Sequence, residues 1–235
     1  MGKTNEIAAQ GLFRQEQRLN VLANNLSNIQ TAGYKRDLSV FSKIFTQAAD
    51  RYKSLETHSS ATILQQGDLQ RTGNDLNAAI EGEGFFKVKT PWGVRYTRNG
   101  NFKLNGEGVL VDGNGFAIMG RRDEIQIRGK SVQIQPNGSV QVDGQEIDQI
   151  GLVNFPDLNR LRKEGHTYFA VDEGQEEMEV RSSQIVQGSL EMANVNAIEE
   201  MIQLIDAQRT FESCQKIIQA NDAMDSRVVN ELGRV

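Results

Sequence analysis

Apolar residues fall at helical spacing towards both ends of the chain. Ala8, Leu12, Leu19, Leu22, Leu26 and Ile29 follow the alternating three- and four-residue step of a heptad, broken at Gln15. Met201, Leu204, Phe211, Cys214, Ile218, Val228 and Leu232 continue a similar seam, with Gln208, Asn221 and Asp225 as polar interruptions. The spacing predicts a first helix that stops near Thr31-Ala32-Gly33, where Gly33 takes a left-handed conformation. It also predicts a last helix over 197–232, a stretch without Gly or Pro.

Between these ends the apolar runs are short and the glycines concentrate. Asn-Gly recurs at Asn99-Gly100, Asn105-Gly106, Asn114-Gly115 and Asn137-Gly138, and Asp-Gly at Asp112-Gly113 and Asp143-Gly144. Such pairs supply the positive φ angles of tight hairpins. They separate strand-like runs at Phe85 to Lys89, Val94 to Thr97, Phe102 to Leu104, Val109 to Val111, Val132 to Ile134, Val140 to Val142, Ile150 to Phe155 and Tyr168 to Val171. Residues 76–185 therefore read as antiparallel β structure. The segment Asp37 to Gln66 reads as a helix around Phe41 to Tyr52 followed by an extended linker between helical and β layers.

The expected fold class is α+β. Paired N- and C-terminal helices form a coiled-coil-like assembly domain (1–33 and 190–235), a connecting segment spans 34–75, and a mainly antiparallel β domain is inserted at 76–189. Burying the few large side chains of the first seam falls short of the entropy lost in ordering a helix of that length. The helices thus need a partner surface, and copies from other subunits would supply it.

Composition narrows the function. Lys and Arg total 26 against 31 Asp and Glu, a net charge of -5 that argues against nucleic acid. The longest apolar runs, Phe116 to Met119 and Tyr168 to Val171, are far too short to cross a bilayer, so no membrane insertion is expected. Cys214 is the single cysteine, which excludes an internal disulfide. Met1 to Ile7 shows no apolar signal segment, and Glu6 spoils a myristoylation site at Gly2.

Candidate chemistry is thin. Gly2-Lys3-Thr4 lacks the upstream glycine and strand of a phosphate loop. Asp112-Gly113-Asn114 shares the opening of a calcium loop, but Phe116, Ala117 and Asp123 occupy positions that need other residues, so a hairpin turn is expected. His58 and His166 lie far apart in sequence, and no constellation supports catalysis, a metal or a cofactor. Asn20, Asn24 and Asn28 stand at i, i+4 and i+8. They form either a solvated polar stripe or a ladder of amides that fixes register between neighbouring helices.

Ala23-Asn24-Asn25-Leu26-Ser27-Asn28-Ile29-Gln30-Thr31-Ala32-Gly33-Tyr34-Lys35-Arg36 resembles the N-terminal motif of the bacterial flagellar rod and hook proteins. The resemblance continues through Gly67-Asp68-Leu69, Thr72 to Ile80, Gly82 to Phe86 and Arg95 to Phe102, then Gly188 to Asn196 and Gln208 to Glu212. Asn77 departs from it, standing where an acidic residue is expected. The resemblance implies a subunit that polymerises helically into a hollow axle in the flagellum basal body, transmitting torque and passing export substrates. It further implies that the terminal helices line the inner tube and the β domain the outer tube.

The implied partners are copies of itself, other axial rod proteins, the flagellar type III export apparatus and the surrounding basal-body rings. The residues expected to carry subunit assembly are Leu12, Leu19, Leu22, Asn24, Asn25, Leu26, Asn28, Ile29, Asn194, Asn196, Met201, Leu204, Arg209, Phe211, Ile218 and Val228. Chain length and the ending Arg227 to Val235 are more similar to the proximal-rod than to the distal-rod members. Two other classes compete with this reading: a peptidoglycan-active enzyme, which needs a carboxylate held in a cleft, and a soluble binding module built on the β domain.

Overall fold

The computed structural model describes residues 2–48, 51–172, 174–180 and 182–232. In chain order the elements are α1 (Gly2–Ser27), β1 (Asp37–Ala48), β2 (Arg51–Thr62), β3 (Leu69–Arg71), β4 (Ala78–Glu81), β5 (Phe85–Thr90), β6 (Gly93–Thr97), β7 (Lys103–Leu104), β8 (Leu110–Val111) and β9 (Ala117–Ile118). There follow β10 (Val132–Ile134), β11 (Ser139–Val142), β12 (Gln145–Gln149), β13 (Leu152–Asn154), β14 (Leu161–Glu164), β15 (Tyr168–Val171), β16 (Met178–Glu179), β17 (Gln184–Gln187), β18 (Ser189–Glu191) and α2 (Ala197–Leu232). The chain is α+β, and every strand pairing whose register is defined is antiparallel.

Two compact units divide it: residues 1–27, 37–61 and 196–235 in one, 28–36 and 62–195 in the other. In the first unit α1 packs along α2. Gly11 lies against Cys214 Sγ, and Asn25 Nδ2 reaches Glu200 Oε2 at 3.3 Å. Moving forward along α1 thus moves backward along α2 by the same number of residues, so the helices are antiparallel. Leu22 and Ala207 are buried between them, with Leu12, Leu19, Leu204, Phe211, Cys214 and Ile218 half-buried. Asn196 starts α2 as an N-cap, its Oδ1 accepting from Ile198 N at 3.1 Å.

Two expectations need correction here. The segment around Phe41 to Tyr52 is not a helix: β1 and β2 pair as a two-stranded sheet across it. Val40, Phe41, Ile44, Phe45 and Thr46 favour a strand, and that preference overrides their apolar spacing. In addition α1 ends at Ser27, before Asn28 and Ile29, and residues 28–33 form turns. Gly33 closes that stretch at φ +69°, the left-handed conformation its position predicts.

In the second unit, the strands run β14-β15-β6-β5-β9-β8-β7 across the largest sheet, with β13 joining β5 to β16. Successive side chains on a strand face opposite ways. Phe86 accordingly enters a core with Phe102, Leu110, Ile118, Ile125, Val140 and Ile185, while Phe85 enters a second with Tyr96, Val153, Phe155 and Phe169. β10, β11 and β12 form a separate meander. Its β11–β12 turn is Asp143-Gly144 at φ +51° and +86°, both left-handed, as a two-residue hairpin demands. β4 pairs with β17 and β3 with β18, so the incoming and outgoing chain of this unit run side by side.

Candidate functional site

Three stretches of the sequence motifs converge on Glu191, a fully buried carboxylate at the end of β18. Gly33 N donates to the Glu191 carbonyl at 2.7 Å. Only a glycine fits there, because a Cβ would sit 2.3 Å from Asn99 N. The reversal at Gly33 directs Lys35 inward. Its Nζ donates to Glu191 Oε1 and, at 2.6 Å, to the Gln65 carbonyl. Gly67 N donates to the same carboxylate oxygen at 3.0 Å, and Arg98 reaches the other at 3.3 Å.

This clasp is electrostatically demanding. Lys35 is 1% and Arg98 5% exposed. Burial pushes the Lys35 ammonium below its usual pKa of 10.5; the Glu191 carboxylate opposes that shift and Arg98 adds to it. Burial likewise lowers the Arg98 pKa against the pull of Glu191. The Arg98 guanidinium also lies 5.3 Å from the Phe85 ring centroid, and Lys163 caps the Tyr34 ring at 3.9 Å while donating to the Lys35 carbonyl at 2.6 Å.

Asn194 extends the clasp. It accepts from Arg36 N at 2.8 Å and donates to the carbonyls of Ile63 at 2.8 Å and Gln65 at 3.0 Å. Chemically the arrangement is a lock on the backbone: it fixes 33–36, 63–67, 98 and 191–194 against one another. Lys35, Arg98 and Glu191 were not among the expected assembly residues. The available signal was the presence of a charged residue in each of three separate motifs.

The expected residues divide between the two units. In the helical unit Leu22 and Asn25 are buried, Leu12, Leu19, Leu26, Leu204, Phe211 and Ile218 half-buried, and Asn24, Asn196, Met201 and Arg209 exposed. Asn25 holds the Asp37 backbone with both amide atoms, donating at 2.9 Å and accepting at 2.9 Å. In the β unit Asn28 is buried, with Ile29 and Asn194 half-buried. The Val228 side chain lies outside the described residues. Of the three amides at i, i+4 and i+8, Asn20 and Asn24 are exposed on α1, while Asn28 is buried one residue beyond its end.

Asp112 is turned inward rather than into a calcium loop. Its Oδ1 accepts from Asn114 N and Phe116 N, both at 2.9 Å, and its Oδ2 accepts from the Tyr168 hydroxyl. Among the described residues no group of three or more metal-ligating side chains is found, and no helix is long and apolar enough to cross a membrane.

In sequence, helical ends flank an antiparallel β unit whose motifs close on Glu191, and comparison with known families gives the class: flagellar rod and hook proteins. Residues 6–35 match the model "Flagella basal body rod protein", 79–142 "Flagellar hook protein FlgE/F/G D1 domain", and 186–232 "Flagellar basal body rod FlgEFG protein C-terminal". The chain is 33% identical to the flagellar basal-body rod protein FlgF of Caulobacter vibrioides, over 96% of this chain and 97% of that one. It is 33% identical to FlgG of Buchnera aphidicola from Acyrthosiphon pisum (93% and 95% covered) and 30% identical to FlgG of Bacillus subtilis (94% and 95%). The chain belongs to the flagellar basal-body rod protein family.

Proposed function

We propose that the chain is a structural subunit of the flagellar basal-body rod that polymerises helically through its two terminal helices. The observation that carries this reading is a second apolar face on α2. Leu204, Ala207 and Phe211 turn towards the interior of the helical unit, yet Ile198, Met201, Ile202 and Ile205 are 45–66% exposed. Their i, i+3, i+4, i+7 spacing makes one stripe, and Ile217 and Met224 stand exposed further along the helix. A helix apolar on two faces is suited to coiled-coil-like packing between subunits.

In this reading the helices line a central channel, the β units form the outer layer, and the subunit works as a scaffold rather than a catalyst. Its partners are copies of itself, other axial proteins, the type III export apparatus that delivers it and the surrounding rings. The proximal rod, the place of FlgF, is preferred on the FlgF relative, matched over 96% of this chain against 93% for the FlgG relative of equal identity. The distal rod is the second reading, supported by equal identity to a FlgG and an FlgF relative.

The test is incorporation. Ile202→Asp with Ile205→Asp, or Leu22→Asp, is expected to abolish rod assembly and motility while the β unit stays folded; normal rods from either variant overturn the model. A tag at the Asn137-Gly138 turn, imaged on isolated basal bodies, decides the position: label near the inner-membrane ring marks the proximal rod, label inside the outer rings the distal. A peptidoglycan zymogram is expected to show no clearing.

A further inference from the structure

The β5–β6 hairpin carries the single tryptophan of the chain at its tip, in Thr90-Pro91-Trp92-Gly93. Trp92 is 71% exposed, the most exposed of the large hydrophobic residues described. The tip is nonetheless rigid. Pro91 fixes its own φ, the Thr90 hydroxyl accepts from Trp92 N at 3.3 Å, and it donates to the Gly93 carbonyl at 2.7 Å. Arg95 adds a bond to the Trp92 carbonyl at 3.1 Å.

Behind the tip, the indole stands edge-on to Phe116 at 5.9 Å and 76°, and Phe116 edge-on to Tyr168 at 6.0 Å and 63°. Asp112 and Asn114 fix the Tyr168 hydroxyl. These rings, with Thr90, Arg95, Glu164 and Gly165, line a cleft of about 480 Å³, within the size range of small-molecule sites. Trp92 packs on Phe116 yet keeps most of its surface in water at the edge of a cleft with polar groups beside it, and this arrangement points to a ligand.

We propose that this cleft binds a neutral saccharide, with one sugar ring stacked on the Trp92 indole and its hydroxyls bonded to the Arg95–Glu164 pair. The rings rest on one another and leave no gap between them for a cation, so they form a platform and not a cage. Arg95 Nε donates to Glu164 at 2.7 Å and Arg162 reaches the same carboxylate at 3.3 Å. A cationic ligand would meet the Arg95 guanidinium in the lining, and an anionic one would have to displace Glu164 from Arg95. The pair presents donors and acceptors side by side, which hydroxyl groups use together. A proline-rich peptide would also stack on the rings, but its carbonyls use donors only. The proposal is independent of the rod reading.

Because Trp92 is the only tryptophan, its fluorescence reports the site directly. The full chain is titrated with chitohexaose and, separately, cellohexaose, with calorimetry in parallel. A saturable change in emission with matching heat for either saccharide is expected. Trp92→Ala should abolish the heat, and Trp92→Phe, which keeps a ring at the tip, should retain weaker binding. Glu164→Gln should weaken affinity about tenfold through loss of a charged hydrogen-bond partner. An unchanged circular dichroism spectrum verifies that each variant folds. No saturation with either saccharide, binding retained in Trp92→Ala, or saturation only by a proline-rich peptide overturns the proposal.

Discussion

Glu191 shows how much one buried side chain organises. Its carboxylate receives Lys35, Arg98 and Gly67 N, and its carbonyl receives Gly33 N. Truncating it by Glu191→Ala leaves two buried cations without a counter-charge, and such losses cost about 3–5 kcal/mol. A urea melt followed by Trp92 fluorescence should show that loss, and an unchanged midpoint would mean the triad is dispensable. Tyr96 and Tyr168 give a second residue-level expectation. Burial, together with hydrogen bonds to Glu177 and Asp112, raises both hydroxyls above their usual value of 10. Above about pH 10 the unfolded chain releases these protons while the folded chain keeps them. Their contribution is therefore full below pH 10 and is lost as pH climbs towards the folded values. Phenolate absorbance of the folded chain at pH 11 should be unchanged by Tyr96→Phe or Tyr168→Phe, the difference appearing only on unfolding.

The elements differ in how openly the sequence declared them. The α2 span was legible because an uninterrupted polar and apolar pattern without Gly or Pro has no competing reading. Hairpins at Asn114-Gly115, Asn137-Gly138 and Asp143-Gly144 were legible through turn chemistry that is local. β4, β17 and β18 were not, because Ala78–Glu81 and Ser189–Glu191 become strands only by pairing with distant chain. The clasp was hidden for the same reason: a lysine beside a tyrosine looks solvated until its partner arrives from the far end of the sequence. Trp92 went unread because exposure is a property of the fold. Gly11 offers a check on the helix pair. A Cβ there would meet Cys214 Sγ at 3.5 Å, an ordinary contact, so Gly11→Ala should stabilise α1 by about 0.5–1 kcal/mol. A lower melting temperature would contradict the antiparallel register.

Across the whole molecule, the two units carry separate reporters. Far-ultraviolet circular dichroism follows α1 and α2, and Trp92 follows the β unit. The helical unit exposes apolar stripes and has few buried residues among those described, so its transition should come at lower urea than that of the β unit in the free subunit. Coincident transitions would show instead that the chain unfolds as a single cooperative block. Family kinship is distributed over the same plan, with matched stretches at 6–35, 79–142 and 186–232. The pairing of β3 with β18 has a consequence for how such chains diversify. Leu69 and Glu191 are strand partners, so the two ends of the segment between them lie about 5 Å apart however many residues are threaded there. A lineage can lengthen, shorten or embellish the intervening loops without changing the gauge at which the remaining chain departs, much as fittings of different size share one socket.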